Sequence, residues 1–220
     1  MKIAIITPSR ERLKGFIRLK ESIINTISGE NEIVFLIGAD IDDKTDYEST
    51  NVLIKRYSGL SIAQIWNDLA RSIDADYYVL GADDYVFETK DWDKILMSKI
   101  QHPYNLLWFD DGIQHGNSCA FPIVSREWIE LIGYFIPEMF IHNYSDTFVY
   151  DIAKKAGVCV YIPEVQNKHL HFSVYPDVFD KVYEDALKND SWVKDGQTYA
   201  DTETLRIELS QRIKDKLNLL

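Results

Sequence analysis

Short apolar runs alternate with segments of helical periodicity along the first half of the chain. Between these runs, apolar residues recur at near-helical spacing over 13–27, Ser61 can cap a helix that extends to Ile73, and Asp91 opens a shorter helix that ends near Ile100. This alternation predicts an α/β domain with a mostly parallel sheet. The four predicted buried strands are Ile3–Ile6, Ile33–Ile37, Tyr77–Leu80 and Leu106–Phe109.

The second half of the chain is less regular. The predicted elements are a strand over Ala120–Val124, a helix near Glu127–Ile132, a helix capped by Ser145 and ended by Gly157, and a strand over Val158–Ile162. Near the C-terminus an apolar stripe at helical spacing consists of Leu205, Leu209, Ile213, Leu217 and Leu220. We expect this stripe to pack on its own domain. Closure over a ligand or a homodimer contact are the alternatives.

Composition and charge restrict the partners that the protein can bind. The 220 residues are 46% hydrophobic, which is enough for a sizeable core, and they carry a formal net charge of −11. So acidic a chain has no general attraction for a nucleic-acid backbone or an anionic membrane surface. A polyphosphate ligand would therefore need a local basic patch or a metal ion.

Cysteine usage and hydropathy indicate the compartment. Cys119 and Cys159 form no disulfide framework and match no zinc-binding spacing. The apolar run Ile3–Ile6 is too short for a signal peptide, and no run approaches the ~20 apolar residues of a membrane span. We therefore expect a soluble protein of a reducing, cytoplasmic compartment.

Ligand binding is expected in the loops after the first three strands, because ligands of parallel sheets sit at the carboxyl ends of the strands. The first loop contains Pro8, Ser9, Arg10 and Arg12, in a segment (1–25) with six basic and two acidic residues. Free N–H groups at the helix start and the arginine side chains could together hold a nucleotide or its phosphates. The alternative is that Arg12, Lys14, Arg18 and Lys20 form the solvated face of a helix, and we accept it for Arg18 and Lys20.

The second loop clusters Asp40, Asp42 and Asp43 directly after a buried strand. A carboxylate at this position could accept hydrogen bonds from a base or a ribose. Aspartate also favours turns through hydrogen bonds to its own backbone, so an ordinary acidic turn is the stronger interpretation of this loop taken alone.

The third loop, Gly81-Ala82-Asp83-Asp84, follows another buried strand. Two carboxylates there offer hard oxygen ligands for Mg²⁺ or Mn²⁺, ions that also bind diphosphates. The small Gly81 and Ala82 leave room for a ligand. We favour the metal interpretation over a plain turn, because a turn does not require charges so close to a buried strand.

Two later features suit the same site. Asp146 lies in the first turn of a predicted helix, where the helix dipole favours the carboxylate anion, although it could serve only as a good first-turn residue. His169 and His171 are two residues apart and share a face if the segment is extended. They could complete a metal shell, although such a pair taken alone is more often not a site.

As an ordered set, these residues resemble the GT-A glycosyltransferases of the nucleotide-diphospho-sugar transferase superfamily, and are similar to the inverting family-2 group. Residues His169 to Tyr183 also resemble small virus- or phage-encoded members. The resemblance covers residues 1–172 and is carried by Ile3-Ala4-Ile5-Ile6-Thr7-Pro8-Ser9-Arg10, the acids after the second strand, Trp66-Asn67-Asp68-Leu69-Ala70, Asp76 to Asp84, Gly133-Tyr134-Phe135 and Ser145-Asp146.

The resemblance implies a Rossmann-like three-layer fold for residues 1–172, with 173–220 as a helical extension that packs on it. It also implies roles for individual residues. The nucleotide sugar is expected to contact Pro8, Ser9, Arg10, Arg12, Asp40 or Asp42, Asn67, Asp83 and Asp111. Asp84 matches the last acid of the family's metal motif, and His169 or His171 matches a further metal ligand used by some members. Asp146 matches the acid that deprotonates the acceptor hydroxyl.

Two departures from the family pattern stand out. Ala82 occupies the position of the first acid of the metal motif, which puts metal dependence in doubt. Ser145 stands where many members have a second acid, but the assignment of Asp146 as the base is unaffected because the base corresponds to the later position.

The sequence therefore predicts an enzyme that moves a sugar from a UDP-, GDP- or dTDP-linked donor to a carbohydrate or other hydroxyl acceptor, with inversion and with Mn²⁺ or Mg²⁺. A nucleotidyltransferase would need a glycine-rich first loop, and a two-metal phosphoesterase would need more histidines at loop ends. A sugar-nucleotide-binding module that has lost catalysis is the non-enzymatic alternative, for which Ala82 is the hint.

Overall fold

The computed structural model describes residues 1–188 and 190–218. Its strands are β1 (Lys2–Pro8), β2 (Glu32–Asp40), β3 (Leu53–Tyr57), β4 (Tyr77–Leu80), β5 (Tyr85–Phe87), β6 (Leu106–Asp110), β7 (Ile123–Ser125) and β8 (Cys159–His169). Its helices are α1 (Leu13–Thr26), α2 (Ile62–Arg71), α3 (Trp92–Lys99), α4 (Arg126–Ile132), α5 (Ser145–Ala156), α6 (Lys181–Lys188), α7 (Ser191–Asp201) and α8 (Glu203–Leu217).

The strands of the described residues form one sheet in the order β3-β2-β1-β4-β7-β6-β8-β5. The first four in this order run parallel to one another, as do β6 and β8, whereas β7 is antiparallel to both neighbours and β5 is antiparallel to β8. The predicted α/β, Rossmann-like fold with a mostly parallel sheet and a helical C-terminal extension is therefore confirmed.

The apolar pattern explains the central elements. Strand β1 lies between β2 and β4, and its residues Ile3–Ile6 are fully buried, which is why the run is continuously apolar. Helix α2 begins at Ser61, whose hydroxyl accepts from the Gln64 N–H while the Gln64 side chain accepts from the Ser61 N–H. The predicted cap at Ser61 is thus confirmed.

The structure differs from the predicted pattern at several elements. Strands β3 and β5 were not predicted: β3 is an edge strand with exposed Leu53, and β5 has only three residues. Strand β8 extends beyond Ile162 to His169 because its second half pairs with β5. The prediction that Ser145 caps α5 is wrong, since Tyr144 is the cap residue, in a left-handed conformation, and Ser145 is already helical.

The C-terminal extension forms helices α6, α7 and α8. The apolar stripe packs on the domain through Leu209 and Ile213, which are buried, while Leu220 lies outside the described residues. Arg206 on α8 donates to Asp151 on α5 at 2.7 Å, which ties the two helices together. No helix in the described ranges is long and apolar enough to cross a membrane.

Candidate functional site

The first and third loops meet where β1 and β4 lie side by side. The Ser9 hydroxyl donates to Asp83 Oδ2 at 2.7 Å and accepts from the Tyr47 hydroxyl at 3.0 Å. Ser9 and Asp83 are both buried. From this pair of strands the sheet continues with β2 beside β1 on one side and with β7 beside β4 on the other. Ligands of α/β sheets bind at the point where the strand order changes direction in this way.

Helix α1 approaches the third loop closely at Gly15. A Cβ atom at this position would lie 2.5 Å from the Asp83 carbonyl oxygen, so a side chain would push the helix away. The approach brings the Arg12 guanidinium to 3.1 Å from Asp83 Oδ1. The basic first loop and the acidic third loop therefore form one charged cluster.

Arg10 joins the first loop to the second. Its guanidinium lies 2.5 Å from Asp40 Oδ2 and 3.0 Å from Asp42 Oδ2. The Asp43 carboxylate instead accepts hydrogen bonds from two backbone groups, the Glu11 N–H and the Thr45 N–H, both at 2.9 Å. The acidic turn interpretation thus describes Asp43, whereas the other two acids face a cation.

The two adjacent acids of the third loop differ in electrostatics. Burial raises the pKa of Asp83 to about 6, against the attraction of Arg12 and with the repulsion of Asp84. Burial also opposes ionisation of Asp84, but hydrogen bonds from His169 and Tyr183 and the charge of Arg12 outweigh it and lower the Asp84 pKa. Asp84 is therefore the more acidic of the two carboxyl groups.

His169 lies between two carboxylates. Its Nε2 is 3.5 Å from Asp84 Oδ2, and its Nδ1 is 3.6 Å from Asp111 Oδ2. The pairing of β5 with β8 places Tyr85 opposite His169, which is how the histidine comes to lie beside the acid. Burial lowers the pKa of His169, but Asp111 and Asp84 together raise it to about 9.

Metal binding by these groups depends on the donor set. In the described ranges, no three His, Cys, Asp or Glu side chains are grouped so that they could hold an ion. Asp84 still offers a carboxylate, and Mg²⁺ characteristically takes only one or two protein carboxylates together with substrate phosphates and water. His169 adds a nitrogen ligand only after it loses its proton, because a histidine ligand must be neutral. The Nδ1 of His171 is 2.7 Å from Ser173 Oγ instead. The residues thus fit an ion shared with a diphosphate.

Asp146 lies in the first turn of α5. Its carboxylate accepts from the Thr147 N–H at 2.7 Å. Burial raises the Asp146 pKa, which makes this group a stronger proton acceptor than an exposed aspartate.

A cavity of about 630 Å³ joins these groups. The predicted site residues that line it are Pro8, Ser9, Arg10, Arg12, Asp40, Asp83, Asp84, Asp146, His169 and His171. Its size is typical of ligand pockets. Asp42, Asn67 and Asp111 are the predicted residues that the structure does not bring to its wall.

These three residues have other partners. Asp42 is exposed and pairs with Arg10, and Asp111 is buried behind His169, where its Oδ1 accepts two backbone N–H groups. The Asn67 amide accepts from the N–H groups of Phe135 and Ile136 and donates to the Ile136 carbonyl. Asn67 therefore holds the 135–136 segment against α2.

The sequence left closure of the C-terminal extension over a ligand as an alternative, but it did not indicate which residues of the extension reach the site. Asp180 accepts from Arg12 Nε and Nη2, both at 2.7 Å, and the Tyr183 ring lies 4.3 Å from the Arg12 guanidinium. Tyr183 and Trp192 line the cavity. No local sequence signal reports these contacts, since Arg12 and Asp180 are 168 residues apart.

Comparisons with known proteins identify the fold. No family model matches the sequence, and no curated protein matches it. Among solved structures, S. aureus TarS is similar, with a TM-score of 0.61 at 10% identity over 76% of this chain and 36% of TarS.

The TarS 1–349 fragment is similar both in complex with UDP (TM-score 0.60, 11% identity, 76% of this chain and 60% of the fragment) and in complex with UDP-GlcNAc (TM-score 0.61, 11% identity, 76% and 58%). The chain thus spans between about a third and three fifths of these proteins. At such low identity the likeness shows a shared fold.

Proposed function

We propose that the protein is a glycosyltransferase that moves a sugar from a nucleoside-diphosphate sugar to an acceptor hydroxyl with inversion at the anomeric carbon. The observation that carries the proposal is the cavity that brings Arg12, Asp84 and Asp146 together at the carboxyl edge of the parallel strands. TarS, which is similar in fold, has been solved in complex with UDP-GlcNAc.

The donor would bind along the first three loops. Arg12 is a bidentate donor that suits a diphosphate, and Asp40 and Arg10 stand at the end of β2, where a base or ribose would find both an acceptor and donors. Asp84 would hold a Mg²⁺ or Mn²⁺ ion together with the diphosphate, and His169 would join as a further ligand once it loses its proton. When bound, such an ion supplies positive charge near the leaving diphosphate.

Asp146 would act as the general base. As the acceptor oxygen attacks the anomeric carbon, the bond from that carbon to the diphosphate oxygen breaks, and the Asp146 carboxylate takes the hydroxyl proton. The raised pKa of Asp146 suits this role, because its carboxylate is more basic than that of an exposed aspartate. Attack opposite the leaving group inverts the sugar.

A panel of UDP-, GDP- and dTDP-sugars, each with Mn²⁺, with Mg²⁺ and with EDTA, tests the proposal. We expect at least one class to raise the melting temperature and to release nucleoside diphosphate in the presence of the ion. The proposal is overturned if no donor raises the melting temperature and no donor releases nucleoside diphosphate.

A further inference from the structure

Trp192 differs from the other tryptophans of the chain. Its side chain is 65% exposed, whereas Trp66, Trp92, Trp108 and Trp128 are buried. It also lines the cavity that contains Asp146. A large aromatic face left open at the wall of a ligand-sized cavity is an unusual surface feature, since Trp carries a large apolar area.

Helix α7, which carries Trp192, is fixed to the loop that leads to Asp146. The Asp195 carboxylate, 1% exposed, accepts from the backbone N–H groups of Ile141, His142 and Asn143 at 2.8, 2.9 and 2.7 Å. The Asn143 side chain donates to Ser191 Oγ at 2.9 Å. The position of Trp192 is therefore set by the same segment that sets the position of Asp146.

Tyr144 supports the exposed ring from behind. It has a left-handed φ of 63°, which bulky residues rarely adopt, and it lies two residues before Asp146. Its ring packs on Trp192 with centroids 5.1 Å apart and on Tyr199 at 5.5 Å. The aromatic face is thus pre-organised rather than free to turn.

The surroundings of this face suit a sugar ring. A pyranose presents a face of C–H groups that packs on an aromatic ring, while its hydroxyls require donors and acceptors at the rim. His142, Asn143 and Gln114 line the same cavity and offer such polar groups. The combination of one aromatic face with a few polar groups is typical of small-molecule specificity sites.

We propose that Trp192 is the platform on which a sugar ring of a carbohydrate acceptor stacks, beside the base Asp146. This inference rests on the proposed function, and it names a carbohydrate as the acceptor class. A nucleotide base is the weaker occupant, because the loops suited to a nucleotide follow β1 and β2, whereas Trp192 is attached to the segment of Asp146.

Kinetics of three variants test the platform. Trp192→Ala should raise the acceptor KM about tenfold, in line with the free energy of one aromatic contact. Trp192→Phe keeps an aromatic ring, so its acceptor KM should stay close to that of the wild type. Val193→Ala is the matched control, because Val193 is 74% exposed on the same turn and is absent from the cavity wall.

A binding measurement keeps the two proposals separate. Acrylamide quenching of tryptophan fluorescence reports on Trp192, the exposed tryptophan, and is measured with UDP alone and with UDP plus methyl glycosides and disaccharides. Protection of Trp192 by a saccharide, and not by UDP alone, supports the inference even if no donor is turned over. The inference is overturned if UDP alone protects Trp192 or if no saccharide protects it. It is also overturned if protection follows dimer formation at high protein concentration.

Discussion

Tyr183 on α6 donates a hydrogen bond of 2.6 Å to Asp84, a residue 99 positions earlier in the chain. Three residues before Tyr183, Asp180 forms the bidentate pair with Arg12. The extension thus contacts both Arg12 and Asp84 of the candidate donor site. A diphosphate that binds Arg12 must compete with Asp180 for the same donors.

This competition predicts the effect of removing the Asp180 charge. Asp180→Asn should bind UDP severalfold more tightly than the wild type, measured by isothermal titration calorimetry, because the guanidinium no longer faces an internal anion. Asp185→Asn is the matched control, since Asp185 lies on α6, which begins directly after Asp180, and is 3.6 Å from Lys188. Weaker UDP binding by Asp180→Asn would contradict the competition and indicate that Asp180 orients Arg12 instead.

The buried hydroxyl of Ser9 predicts a loss of stability. Ser9→Ala removes a donor from Asp83 and an acceptor from the Tyr47 hydroxyl, and a buried polar group left unpaired costs about 1–3 kcal/mol. Urea denaturation should show this decrease in the free energy of unfolding. Ser58→Ala, at an exposed position, should change it by less than about 0.5 kcal/mol. Equal effects of the two substitutions would show that the Ser9 pair does not stabilise the meeting of the loops.

Asp195 predicts a link between α7 and the base. Asp195→Ala leaves three backbone N–H groups without their acceptor, so we expect a lower melting temperature and a lower transfer rate, whereas Asp195→Asn should retain part of both. Asp201→Ala, at the end of the same helix, is the control, since Asp201 accepts from the Gln197 side chain. A fully active, equally stable Asp195→Ala protein would contradict this role.

The pKa of Asp146 predicts how stability depends on pH. Burial raises this pKa in the folded state, so ionisation of Asp146 costs stability above the ordinary pKa of aspartate. Asp146→Asn should therefore be at least as stable as the wild type at pH 7, since the amide can still accept from the Thr147 N–H. The difference should shrink as the pH falls below that ordinary pKa. Thermal unfolding at pH 7 and at a pH below the ordinary pKa of aspartate checks this. A marked loss of stability of Asp146→Asn at pH 7 would show that the ionised carboxylate stabilises the fold.

The alternation of apolar runs was sufficient to predict the parallel half of the sheet, because β1, β2 and β4 are buried and their loops necessarily share an edge. It could not predict β5, whose three residues carry no periodicity. Yet β5 is the strand that places His169 beside Asp84. Local acidic and basic clusters identified the loops, whereas the partners supplied by α6 and α7 depend on packing between distant segments. Asn67 is the opposite case. Its sequence motif predicted contact with the donor, but its side chain instead holds the 135–136 segment through backbone hydrogen bonds.

The transfer rate of Asp146→Asn tests the central claim most directly. The release of nucleoside diphosphate from a nucleotide sugar that the wild type consumes is measured together with the dissociation constant of that donor. Because the amide cannot accept the proton, the account predicts a rate lower by about 10²–10⁴-fold with donor affinity unchanged. A variant that binds and transfers as well as the wild type would contradict the assignment of Asp146 as the base.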